Sequence, residues 1–171
     1  HCGTNIAHTV DPKLLGAMVG EMPEVAYVED FLFSCSTDAT RRMAKIIREQ
    51  GLTRLVVAAC SPRTHEPVFR EVLAAAGVNP GYLAFANIRE QCAWVHQDDP
   101  DAALAKAAEL VGMAVRRAAE LTPIAPAYYP VMPRALVLGG GAAGLSAALS
   151  LADQGFHTYL VDRSPSLGGL A

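Results

Sequence analysis

The stretch ALVLGGGAAGLSAALSLADQGFHTYLVDR, residues 135–163, leaves its backbone few choices. Ala135 to Leu138 is a short apolar strand, and Gly139, Gly141 and Gly144 follow it as G-x-G-x-x-G. The pattern predicts a helix from Leu145 to Gln154 with Gly155 at its end, then a second strand from His157 to Val161 closed by Asp162. A lone glycine triplet is a weak signal, but strand, turn, helix, strand and terminal acid together are specific for a dinucleotide-binding unit. Gly139 permits the tight turn, Gly141 lets the backbone approach a pyrophosphate, and Gly144 allows the helix to pack closely on the strand. The helix amino terminus offers free N–H groups to phosphate. Asp162, 18 residues after Gly144, is placed to accept hydrogen bonds from ribose hydroxyls.

Ahead of this unit lies LTPIAPAYYPVMP, residues 121–133, whose four prolines exclude a regular helix or a central strand. It reads as a semi-rigid linker. The expected organisation is therefore an α/β domain over 1–120, a Pro-rich linker over 121–133, and the truncated start of a second domain over 134–171. The chain opens on His1-Cys2-Gly3 without an initiator Met and closes on Leu170-Ala171 just past a Gly-Gly pair. It reads as a fragment of a longer protein.

In the first part, strand and helix patterns alternate. VAYVEDFLF (Val25 to Phe33), TRLVVAAC and GYLAFAN read as strands. A helix is expected after the cap candidates Ser36 and Thr37, stopping at Gly51; a second ends at Gly77; a long third has Asp99 as its cap and Pro100 at its first position. This alternation predicts a parallel sheet with right-handed crossovers. Apolar residues make up 51% of the 171, enough for a core that needs no disulfide staples. The net charge of −3 argues against a general nucleic-acid binder, and no apolar run reaches the roughly 18 residues of a membrane span.

The four cysteines repeat one placement. Cys60 ends a strand, Cys35 lies just beyond another, Cys92 lies five residues past a third, and Cys2 opens the chain. The carboxyl ends of parallel strands share one edge, where such folds build sites. Four thiolates meeting there suit a [4Fe-4S] cluster or a four-cysteine zinc site. Buried, inert cysteines and disulfides are the other readings of the same pattern. Arg63 is either a cation that offsets cluster charge or an ordinary surface residue, and Arg89 with Glu90 reads as a surface pair.

HCGTNIAHTVD, VAACSPRTHEPVFR, NIREQCAWVH and PRALVLGGGAAGLSAALSLADQGFHTYLVDRSPSLGG together resemble the A-type subunit of the heterodisulfide reductase family across essentially the whole chain. The Gly168-Gly169 pair after the acid is similar to that of FAD-binding flavoproteins. The resemblance implies a parallel-sheet amino-terminal domain followed by the first βαβ unit of a Rossmann-like, thioredoxin-reductase-like FAD domain. It puts the [4Fe-4S] ligands at Cys2, Cys35, Cys60 and Cys92. It puts the FAD site at Gly139, Gly141, Ala142, Ala143, Gly144, Asp162, Arg163 and Gly169. Family members often carry Glu where this chain has Asp162, one methylene shorter.

The implied function is electron transfer within an oxidoreductase, directed toward disulfide reduction (CoM-S-S-CoB in methanogens) or a related acceptor. The implied partners are the other heterodisulfide reductase subunits, electron donors of hydrogenase or dehydrogenase type, and ferredoxin. Cysteine usage and the family together imply a cytoplasmic setting. A fragment lacking most of the flavin domain is expected to be inactive alone. The competing readings are a non-catalytic interaction module with a structural zinc site and a simple dinucleotide-binding domain.

Overall fold

Parallel strands need helices on both faces, and the first of two units in the chain supplies them. The structure is a computed structural model that describes residues 1–169; Leu170 and Ala171, the end of the expected 134–171 segment, lie outside the described residues. The units are His1–Ala125 and Pro126–Ala171. In the first, β1 (Leu55–Ala59) and β2 (Leu83–Asn87) pair in parallel, with Leu55 opposite Leu83 and Ala59 opposite Asn87. Helix α3 (Pro62–Ala75) makes the crossover that parallel pairing requires.

Side chains then alternate between two cores, as the strand period of two dictates. Val57, Ala59 and Leu83 face α2 (Thr37–Glu49) and α3, packing with Met43, Ile47, Phe69 and Leu73. Ala84 and Ala86 face α1 (Pro12–Gly20) and α4 (Pro100–Glu120). The buried stripe of α4 is Ala103, Ala107, Val111, Gly112, Ala114 and Ala118, mostly small residues that let the helix lie close to the alanines of β2. The architecture is α/β with parallel strands, as the sequence predicts.

Helix ends follow local chemistry. Asp11 Oδ1 accepts from Lys13 and Leu14 N–H at the start of α1, Ser36 Oγ from Ala39 at the start of α2, and Asp99 Oδ1 from Ala102 at the start of α4. At the other end of α4, Arg54 Nε donates to the Ala118 carbonyl at 2.7 Å. Asn79 pins the start of the Pro-rich segment, accepting from Ile124 N at 3.0 Å and donating to Ile124 O at 2.9 Å.

The expected strand Val25 to Phe33 is not a strand. Residues 25–31 carry no regular structure and 32–35 form a turn. The reason is the lack of a partner. A cavity of about 820 Å³ is lined both by Leu55–Ala58 of β1 and by residues 24–31. Among the described residues β1 pairs with β2 alone, so the sheet of this unit has two strands where the sequence suggests three. Cys35 accordingly lies in a turn and not beyond a strand end.

The second unit is a single βαβ element. β3 (Arg134–Leu138) and β4 (His157–Val161) pair in parallel, Arg134 opposite His157 and Leu138 opposite Val161, with α5 (Ala142–Asp153) between them in sequence. Neither these strands nor α5 buries a residue. Among the described residues no helix of either unit is long and apolar enough to cross a membrane.

Candidate functional site

Two sites take shape, one in each unit. In the first, β1 delivers Cys60 directly at its carboxyl end, where Ser61 turns the chain into α3 and its Oγ accepts from Arg63 N at 3.3 Å. Cys2 sits at φ +50°, a left-handed backbone that a non-glycine residue adopts only at a cost, and such outliers concentrate at functional positions. Gly3 N donates to Leu32 O at 3.1 Å, which ties the Cys2 turn to the turn bearing Cys35.

Burial pushes the Cys60 thiol above its usual pKa, and the nearby Arg89 guanidinium pulls it back. All four cysteines are free thiols; Cys35 is exposed, Cys2 half-buried, Cys60 and Cys92 buried. Cys92 is placed differently from the others. It lies on a π-helical turn, Arg89–Ala93, and its Sγ donates to the Ala103 carbonyl of α4 at 3.0 Å. Burial raises its pKa too. The Gly3–Leu32 bond ties the turns of Cys2 and Cys35 together, Cys60 stands at the end of β1, and the Cys92 sulfur is turned into the α4 packing. Among the described residues, no three His, Cys, Asp or Glu side chains are assembled as a metal-binding group. The donor set of soft thiols beside a fixed cation nevertheless suits a thiolate-ligated metal or cluster.

That cation is not Arg63, which is exposed. It is Arg89, whose Nη1 donates to Cys2 Sγ at 3.2 Å and whose guanidinium carbon lies 4.9 Å from the Trp94 ring centroid. Its partner Glu90 accepts from Arg89 and from Ser61 N. Burial works against the Glu90 charge, but these hydrogen bonds outweigh it and hold the carboxyl below the usual range. The reading of Arg89 and Glu90 as a surface pair is corrected here: their side chains are 19% and 28% exposed, with Arg89 on the Cys2 sulfur and Glu90 on the Ser61 N–H. The one sequence signal was their place two and three positions ahead of Cys92.

The glycine loop of the second unit explains its residues one by one. Gly139 has φ +105°, open only to glycine at ordinary cost. A Cβ on Gly144 would collide with the Gly139 carbonyl oxygen, so α5 seats directly on the turn. Gly141 differs from both. Its φ of −77° suits any residue, and among the described residues a Cβ there would meet only Gly169 Cα, 4.0 Å away. Neither strain nor crowding among the described residues calls for glycine at this position, which leaves room for a ligand to approach the backbone closely. Ala142 and Ala143 open α5 exposed, and no side chain caps the helix. Its first N–H groups are left for an anion.

Asp162 braces the loop. Its Oδ2 accepts from Gly140 N at 2.6 Å and its Oδ1 from Ser164 N at 2.7 Å. These bonds, the Gly140 one foremost, hold the carboxyl below its usual pKa. Arg163 follows it at the surface. Gly168 N donates to Gly140 O at 2.8 Å, which brings the Gly168-Gly169 pair against the glycine turn. The residues present fit a pyrophosphate on the α5 terminus.

Comparison with known proteins places the whole chain beside one family. A family model described as FAD dependent oxidoreductase matches residues 135–171. The A-type subunit of the H(2):CoB-CoM heterodisulfide,ferredoxin reductase of Methanothermobacter thermautotrophicus is 47% identical over 169 residues, covering 99% of this chain and 26% of that protein. The second of the A-type iron-sulfur subunits of CoB–CoM heterodisulfide reductase in Methanopyrus kandleri is 46% identical over the same shares of each chain. A protein of Archaeoglobus profundus, named as like the A-type subunit of heterodisulfide reductase, is 43% identical over 99% of this chain and 24% of its own length. The chain thus spans about a quarter of the length of the curated relatives it matches. At this identity, kept from end to end of the chain, the protein belongs to the family of heterodisulfide reductase A-type subunits.

Proposed function

We propose that the chain is part of an oxidoreductase subunit that relays electrons between FAD and an iron-sulfur cluster. Two observations carry this together: a held guanidinium bonded to the Cys2 sulfur beside the strand end that bears Cys60, and a glycine whose missing Cβ leaves open space at an uncapped helix terminus. On this reading the cluster domain is 1–120, the linker 121–133, and the FAD domain begins at 134. Cys2, Cys35, Cys60 and Cys92 hold a [4Fe-4S] cluster; for Cys92 this requires its sulfur to leave the Ala103 carbonyl. Gly139, Gly141, Ala142, Ala143 and Gly144 bind the FAD pyrophosphate, Asp162 orients the ribose while bracing the turn, and Arg163 and Gly169 border the nucleotide.

When bound, flavin and cluster supply electron storage and transfer, and the protein's part is to place them and set their potentials. The end acceptor is a disulfide, CoM-S-S-CoB where the host makes methane, or a related compound. The partners are the remaining heterodisulfide reductase subunits, an electron donor of hydrogenase or dehydrogenase type, and ferredoxin, in a cytoplasmic complex. Related proteins support the electron partners by name: one from Methanosarcina acetivorans is the A-type subunit of a ferredoxin/F(420)H(2)-dependent CoB-CoM heterodisulfide reductase.

The test is iron and acid-labile sulfide on anaerobically purified protein, with EPR after dithionite. About four of each per chain, lost in Cys60→Ser, is the expected result. Stoichiometric zinc without sulfide would replace the redox reading with a structural one. Binding of FAD, followed by flavin fluorescence, is expected to weaken in Gly141→Ala, and unchanged affinity would remove the nucleotide role of the loop.

A further inference from the structure

Arg89 and Glu90 join pieces of chain that carry the thiols. Arg89 Nη1 donates to Cys2 Sγ at 3.2 Å, while Nη2 and Nε donate to Glu90 Oε1 at 2.7 and 3.2 Å. The second oxygen of Glu90 accepts at 2.9 Å from the N–H of Ser61, the neighbour of Cys60. The backbone N–H of Glu90 donates to Asn87 Oδ1 at the end of β2, and Trp94 covers the guanidinium. Cys92 rides on the same π-helical turn as the pair. A surface arginine would be free to swing into water; this one is held by sulfur, carboxylate and indole at once.

We propose that Arg89 sets the reduction potential of the cluster, acting as a positioning residue through Cys2. The inference rests on the cluster reading above. Reduction adds negative charge to a group that four thiolates already make anionic. A fixed cation with an N–H directed at a ligand sulfur stabilises the reduced form more than the oxidised one, which raises the potential. Glu90 acts with the opposite sign. It fixes Arg89 in place, and its negative charge offsets part of the effect. The pair is a matched set of opposing charges, with the cation turned toward the sulfur and the carboxylate toward the backbone of Ser61.

Opposite signs make the inference testable. Midpoint potentials are to be read by EPR-monitored redox titration of the full chain with its cluster, for the wild type, R89Q, R89K and E90Q. R89Q is expected to lower the potential, R89K to restore it in part, and E90Q to raise it. General loosening of the site would move R89Q and E90Q the same way, and that result overturns the proposal. So does a fully loaded R89Q cluster at the wild-type potential. If R89Q takes up no cluster, E90Q decides: a rise supports the assignment and no change or a fall overturns it. A wild-type protein without iron and sulfide is a different failure, that of the cluster reading itself.

Discussion

The molecule contains the same strand–turn–helix–strand device twice, and the two copies are finished in opposite ways. β1–α3–β2 and β3–α5–β4 each pair two five-residue strands in parallel through one helix. In the first, the helix start is filled by the protein: Ser61 Oγ caps α3 and Glu90 takes the Ser61 N–H. What that turn holds is a buried thiol, Cys60. In the second, the turn is glycine and, among the described residues, no side chain caps α5. On the proposed function, what it presents is an anion site. Whether the donors at the helix start are satisfied from within decides which kind of ligand a parallel strand end can serve.

The two also differ in burial, and substitutions can sharpen that contrast. Phe69 of α3 is 1% exposed and packs edge-to-face on Phe85, with ring centroids 5.5 Å apart. Phe69→Ala is expected to cost about 3–5 kcal/mol in chemical denaturation. The matching change on α5, Leu149→Ala at a 66% exposed position, is expected to stay within about 0.5 kcal/mol. Equal losses would break the comparison.

Within the glycine loop the next largest effect belongs to Gly144→Ala, whose Cβ meets the Gly139 carbonyl oxygen. About 3 kcal/mol, the upper end of overpacking costs, is expected, together with loss of FAD binding. Gly141→Ala should leave the melting temperature in place and weaken FAD alone, since the protein around it has room. A folding defect in Gly141→Ala would mean that the open space is structural.

At the α3 start, Ser61→Ala removes the cap and should cost about 1 kcal/mol in the same denaturation experiment. No comparable residue exists to remove at α5. The smallest effect is electrostatic. The folded pKa of Asp162 lies below its ordinary value, chiefly through the Gly140 N–H. Its contribution is complete above about pH 3.9, the ordinary aspartate value, and vanishes as the pH falls through the lowered one. The Gly140 amide resonance should shift with that acid step, and Asp162→Asn should abolish it.

What the sequence made legible was whatever neighbouring residues decide among themselves. Helix starts at Ser36 and Asp99, the glycine turn and the β3–α5–β4 order all rest on contacts a few residues apart. Asp11 followed by Pro12 carried the same signal for α1, which the alternating pattern overshadowed. The failures were non-local. Residues 25–33 have strand composition, yet a strand exists only beside a partner. Arg89 looked like one half of an exposed pair because its other partner, Cys2, lies 87 residues away. The four cysteines lie 33, 25 and 32 residues apart in sequence, about one strand–helix unit each, but the direction of the Cys92 sulfur depends on α4, which arrives later in the chain.

The cavity beside β1 has a consequence for how this core strand exchanges its protons with solvent. In a parallel ladder, successive residues send their N–H groups to opposite edges. One set of β1 amides bonds to β2, and among the described residues the alternate set meets no strand. Two rates of deuterium uptake are therefore written into five consecutive residues, slow and fast by turns. The slow ones report the opening of the whole unit, and the fast ones report only the wetting of the cavity wall.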